Sequence, residues 1–96
     1  MEKVNWSKRS INSLNKIWKF YAENISIEVA DKFIHEIIVE AETIVFTSQY
    51  QVEELIGKGY RRAIIRHFKV IYKADGKIIR IYNIFDSRQN PKKLNR

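Results

Sequence analysis

Phe68-Lys69-Val70-Ile71-Tyr72-Lys73-Ala74-Asp75-Gly76-Lys77-Ile78-Ile79-Arg80-Ile81-Tyr82-Asn83-Ile84-Phe85 changes the period of the chain. Aromatic and branched residues alternate here with cations, the two-residue repeat of a half-buried strand. Asp75-Gly76 in the middle is the strongest short hairpin signal in the sequence, because glycine accepts the positive φ that such turns need. Taken as a two-residue turn, it sets Lys73 opposite Ile78, Tyr72 opposite Ile79, Ile71 opposite Arg80, Val70 opposite Ile81 and Lys69 opposite Tyr82. Phe68, Val70, Tyr72, Ile79 and Ile81 then share the expected core face. Lys69, Ile71, Lys73, Ile78, Arg80, Tyr82 and Ile84 share the other, which mixes cations, an aromatic ring and aliphatics. A slip of one residue exchanges the two faces.

Upstream, Tyr60–Arg66 is also rich in β-formers, so an antiparallel meander is expected over about 60–86. Arg61-Arg62 leads that first strand, with one side chain expected on each face. Ser48–Gly59 is polar and reads as a loop, with one helical turn at Val52–Leu55. Before it the period is helical. Ser7 is an N-cap candidate, and Trp6 with Ile11 matches a hydrophobic staple. Ile11, Leu14, Ile17, Trp18 and Tyr21 follow at spacings of three and four, and Asn24 closes this helix. Ser26 caps a second helix, with Glu28 and Asp31 in its first turns. Its apolar positions are Ile27, Ala30, Phe33, Ile34, Ile37, Ile38, Ala41, Ile44 and Val45, a stripe wider than one sheet face needs. Val4–Trp6 is long enough only for an edge strand. Helices precede strands, so the expected class is α+β: an N-terminal antiparallel helix hairpin, about 7–48, on one face of a small antiparallel sheet, within a single domain 1–96.

Of the 96 residues, 45% are hydrophobic and 30% charged, a globular composition. There is no cysteine, which excludes disulfides, thiolate metal sites and cysteine nucleophiles. No apolar run approaches the roughly 18 residues of a membrane span, and the start of the chain is not apolar like a secretory leader. A cytoplasmic protein with no membrane partner is expected. Net charge is +7, unevenly spread: residues 21–56 are strongly acidic, and residues 57–96 carry an excess of ten positive charges. Such a field attracts polyanions, whether nucleic acid or an acidic protein. His35 lies near Asp31 and Glu36, and His67 at a strand start, without a spaced third ligand, so neither a metal nor another cofactor is expected. Glu40/Glu42 and Glu53-Glu54 read as solvated acids, and Trp6 and Trp18 as packing. No glycine-rich phosphate loop is present.

Over almost its whole length the chain resembles the RelE/ParE superfamily of bacterial toxins. The resemblance rests on Val4-Asn5-Trp6-Ser7 before a helix hairpin, then Gly59-Tyr60-Arg61-Arg62, Phe68-Lys69-Val70-Ile71-Tyr72-Lys73, and Ile81-Tyr82-Asn83-Ile84-Phe85-Asp86-Ser87-Arg88-Gln89-Asn90-Pro91. It implies the toxin of a type II toxin–antitoxin pair, held silent by a small acidic antitoxin, with no small-molecule substrate. One branch of the family poisons DNA gyrase; the other cuts messenger RNA on the ribosome. Cleavage by the RNA's own 2′-hydroxyl needs a base, cations around the phosphate and an acid. In a ribonuclease those roles would fall to Arg62, His67, Lys69, Arg80, Tyr82 and Arg88, with Tyr60 a further proton carrier. The ribonuclease branch usually has a tyrosine or histidine soon after its last strand, whereas Arg88 is followed by Gln89-Asn90-Pro91-Lys92-Lys93-Leu94. The gyrase branch is therefore preferred, with no catalytic residue assigned. Lys69, Arg80, Tyr82 and Arg88 are the expected target-binding face, and Phe33, Ile37 and Arg80 the expected antitoxin contacts. A non-toxic basic nucleic-acid-binding module is the remaining alternative.

Overall fold

The computed structural model describes residues 3–43, 51–52 and 59–88. Its elements are β1 (Lys3–Trp6), α1 (Lys8–Asn24), α2 (Ile27–Glu42), β2 (Gln51–Val52), β3 (Tyr60–Ile65), β4 (Phe68–Asp75) and β5 (Ile78–Asp86). The strands form one sheet in the order β1-β5-β4-β3-β2. The meander β3–β4–β5 is antiparallel as expected, but the sheet is mixed, because β1 lies parallel to β5. The helix hairpin intervenes between β1 and the meander, and a chain that crosses over a sheet face can return parallel to its start. Val52 pairs with Arg61 in β2, so it belongs to a strand and not to a helical turn. Residues 53–58 of that expected loop and turn lie outside the described residues, as do Ile44 and Val45.

Both helices start where short-range chemistry directs. Ser7 Oγ accepts from Ser10 N at 3.0 Å and Ser26 Oγ from Val29 N at 3.1 Å, each satisfying a free N–H of a first helical turn. Ser7 also ties helix to sheet: its N donates to Ile81 O and its Oγ to Tyr82 O. Ile17 and Tyr21 of α1 and Ala30, Ile37 and Ala41 of α2 are buried against Ala63, Ile65, Phe68, Val70, Tyr72, Ile79, Ile81 and Ile84 of the sheet. Ile11 departs from the expected face and is 47% exposed. Trp6 and Trp18 are half-buried beside this core, and each indole donates to an α2 carboxylate, Glu42 and Asp31 respectively. Among the described residues no helix is long and apolar enough to cross a membrane.

The β4–β5 hairpin turns at Gly76-Lys77, so Asp75 pairs with Ile78, Lys73 with Arg80 and Tyr72 with Ile81. Glycine takes the first turn position with φ +66°, where a side chain would be strained. This register is displaced by two residues from the expected one. An even displacement keeps each side chain on its face, so Phe68, Val70, Tyr72, Ile79 and Ile81 are the core face. A β-bulge then changes the parity: Tyr72 faces Ile81, but Ile71 faces Asn83, leaving Tyr82 as the extra residue. Ile84 is thereby moved from the expected outer face into the core, opposite Val70.

Candidate functional site

The outer face of the sheet carries its cations in two groups. Around the Gly76 end, Lys73 stands between Tyr60 on β3 and Arg80 on β5, and Tyr82 follows two residues beyond Arg80. The Tyr60 and Tyr82 rings meet edge to face at 5.5 Å. Lys73 Nζ lies 5.2 Å from the Tyr60 centroid, and the Arg9 guanidinium of α1 lies 5.2 Å from that of Tyr82. Gly59 makes room for this: a Cβ there would come within 3.1 Å of Lys73 Cε. Arg80 Nε donates to Asp75 Oδ2 at 3.2 Å, an exposed pair of little energetic weight.

Lys69 is four residues back along β4 from Lys73, roughly 13 Å away at strand spacing. It faces Phe85, 5.9 Å from Nζ to the ring centroid. Arg88 is exposed just past β5, and Arg62 sits between the two groups, opposite Ile71. The expected face is therefore divided: Arg80 and Tyr82 belong to the Gly76 end, Lys69 and Arg88 to the other. Tyr60, named in the sequence only as a proton carrier, joins the first group because β3 pairs in this register. Arg9 had no sequence signal, since only the packing of α1 beside β5 brings it to Tyr82.

His67 lies inside, in the Arg66-His67 turn between β3 and β4, with its side chain 11% exposed. Tyr21 Oη donates to Asp86 Oδ2 at 2.6 Å and stands 2.9 Å from His67 Nε2. With its proton committed to Asp86, Tyr21 accepts from His67 Nε2–H, which assigns the neutral Nε2–H tautomer. Phe33 and Phe68 close over the imidazole, with ring centroids 5.3 and 4.1 Å away. Arg88 N donates to Asp86 Oδ1 at 2.9 Å, and Ser87 N and Oγ both donate to His67 O, so the cluster also fixes where the chain leaves β5. On α2, Glu36 receives both Arg66 Nε and Nη2, which holds its carboxyl below the usual range. Burial, reinforced by the hydrogen bond to Asp86, raises the Tyr21 hydroxyl well above its usual pKa.

As a ribonuclease proton carrier His67 is thus misplaced: its Nε2 is engaged in the core, in the turn before β4 and six residues back from Lys73. Its pKa is lowered from 6.5, chiefly by burial, with Arg88 and Arg66 acting in the same direction and Asp86 against them. The unfolded chain therefore binds this proton more readily, and the contribution of His67 to stability is full above about pH 6.5 and declines as pH falls below it. Melting His67→Gln and the parent chain between pH 7.5 and 5 is expected to show a flatter profile for the variant; equal profiles would contradict a buried neutral imidazole.

The antitoxin contacts also need correction. Ile37 is fully buried in the core and offers no surface to a partner. Phe33 is half-buried, under the Arg66 guanidinium at 5.0 Å. The apolar surplus of α2 is instead Ile27, Ile38 and Val39, all exposed. Among the described residues no group of three or more acidic, histidine or cysteine side chains is placed to hold a metal.

The family described as "ParE toxin of type II toxin-antitoxin system, parDE" matches residues 4–91. No curated protein matches the chain. Among solved structures, the chromosomal ParDE toxin–antitoxin system of P. aeruginosa is similar at 21% identity, over 90% of this chain and 96% of that one, with a TM-score of 0.74. The E. coli DinJ–YafQ complex is similar at 14% identity over 95% and 99%, with a TM-score of 0.54. A copper-bound mutant toxin from Helicobacter pylori is similar at 14% over 94% and 99%, with a TM-score of 0.53. At these identities the structural likenesses speak for the fold alone.

Proposed function

The chain belongs to the ParE toxins of type II toxin–antitoxin systems, and from that premise we propose that it arrests growth by binding DNA gyrase rather than by cutting messenger RNA. The observation behind this choice is the dispersal of the groups that cleavage requires. His67 is locked to Tyr21 inside the core, Lys69 and Arg88 lie toward one end of the sheet, and Arg80 and Tyr82 toward the other. A cleavage site needs its base, acid and cations within hydrogen-bond reach of one phosphate. A binding face tolerates such spacing, since each contact contributes separately.

Arg80, Tyr82, Lys69 and Arg88 are the proposed contacts with the target. The proposed partner that silences the chain is a small acidic antitoxin, complementary to the excess of positive charge over residues 57–96. Toxin–antitoxin assemblies among the similar structures support this. Its apolar anchor is proposed to lie on the exposed Ile27, Ile38 and Val39 of α2, with a following acidic segment reaching Arg80. No small-molecule substrate or cofactor enters this reading.

Induced expression is expected to stop growth and raise the DNA-damage response, leaving messenger RNA uncut in translating ribosomes. Mapping RNA ends after induction tests the mechanism: new cuts at A-site codons would reverse it in favour of the RelE-like endonuclease. Normal growth at high folded expression would favour the non-toxic nucleic-acid-binding module. Arg80→Ala and Arg88→Ala are expected to weaken the arrest without lowering the melting temperature.

A further inference from the structure

The Gly76 end of the sheet has a composition that its own stability does not require. Tyr60, Lys73 and Arg80 stand in one row across three strands, about 5 Å apart from strand to strand. Tyr82, two residues beyond Arg80 on β5, brings its ring against that of Tyr60, and Arg9 covers it from α1. Lys73 and Arg80 are directly opposed like charges, which destabilises a strand pair. Arg9 sits in a first helical turn that contains no acidic residue, where a cation opposes the helix dipole. Among the described residues, Asp75 is a carboxylate bonded to one of these cations, holding Arg80 through an exposed contact. Three cations are thus gathered around two half-buried tyrosine rings, against local electrostatic preference.

We propose that Arg9, Tyr60, Lys73, Arg80 and Tyr82 form a contact site for single-stranded DNA. Sheet-mounted aromatic rings stack bases, and cations beside them meet the phosphates. In the free protein Lys73 and Arg9 lie over the rings. On binding they swing to the phosphates, and bases take the ring faces they leave. A duplex keeps its bases stacked inside and has no use for the tyrosines. The choice of DNA over RNA rests on the gyrase reading; the rest of the proposal does not.

The test uses the purified full chain and fluorescence anisotropy with a labelled single strand of about 12 nucleotides, within the span of one such site. The matching RNA strand and the duplex are measured beside it. Binding is expected to be weak, with a dissociation constant of roughly 1–100 µM at physiological salt, and its log–log salt slope near about −2 for three phosphate contacts. Tyr60→Ala and Tyr82→Ala are each expected to weaken binding roughly 5- to 150-fold, whereas Tyr60→Phe and Tyr82→Phe retain it. The phenylalanine variants keep the packing, so their retained binding separates lost stacking from lost folding. Lys73→Ala or Arg9→Ala is expected to make the slope shallower by about 0.7.

Undiminished binding by folded Tyr60→Ala and Tyr82→Ala would overturn the site. So would tighter binding of the duplex, or loss of binding on replacing only Lys92, Lys93 and Arg96. Tighter binding of RNA would overturn the choice of DNA. No gyrase is present in the measurement, so its result stands or falls separately from the target assignment.

Discussion

Ile37→Ala is expected to lower the free energy of unfolding by about 2–5 kcal/mol, the range for truncating a buried aliphatic side chain without collapse of the site. Ile37 is fully buried between α2 and the sheet. In a chain of 96 residues that loss is a large part of a total of about 5–15 kcal/mol. Ile38→Ala and Val39→Ala, at 38% and 43% exposure, are expected to change stability by no more than about 0.5 kcal/mol. Chemical denaturation of the three variants separates the core of α2 from its surplus apolar surface. If Ile37→Ala unfolds like the parent but loses antitoxin affinity, the burial of Ile37 is wrong and its place as a partner contact is restored.

Asp86→Ala is the second large effect. Asp86 is 5% exposed and accepts from Tyr21 Oη at 2.6 Å and Arg88 N at 2.9 Å. Its removal leaves the buried Tyr21 hydroxyl without its acceptor, at a cost of about 1.5–3 kcal/mol for a hydrogen bond to a charged group. Tyr21→Phe removes the hydroxyl and leaves the carboxylate short of a donor. Because each single change strands a partner, the double variant is expected to cost less than their sum, by about 0.5–3 kcal/mol. Strict additivity of the two losses in denaturant titrations would show that the pair is not coupled. Loss of the Asp86 anchor also frees the backbone at Arg88, so toxicity should fall further for Asp86→Ala than for a core variant of equal stability.

The parts of the fold that were legible are those set by neighbours in sequence. Ser7 and Ser26 cap helices because each hydroxyl needs only an N–H three residues on. The core faces of β4 and β5 followed from alternation, and survived a turn placed one residue early because the resulting offset was even. The bulge at Tyr82 was not legible: nothing in Ile81-Tyr82-Asn83-Ile84 announces an unpaired residue. That bulge alone moved Ile84 into the core. Ser13 and Ile84 share Asn83 Oδ1 as acceptor, a bond that joins α1 to β5 across 70 residues of sequence.

The candidate site was legible as composition and not as arrangement. Arg80 and Tyr82 were named from the alternation of β5, but Arg9 reaches Tyr82 only because Ser7 pins the start of α1 to Tyr82 O. Tyr21 read as one more apolar residue on a helix face. Its hydroxyl became meaningful when two distant strand ends delivered His67 and Asp86 to it. By itself the sequence determined the helix hairpin, the meander, the uneven charge and the family, since periodicity, capping and motif order are properties of neighbouring residues. The tertiary structure decided which cations stand together, which histidine is buried and which isoleucine of α2 is core, because those depend on strand register and helix docking, where contacts between distant residues outweigh local preference.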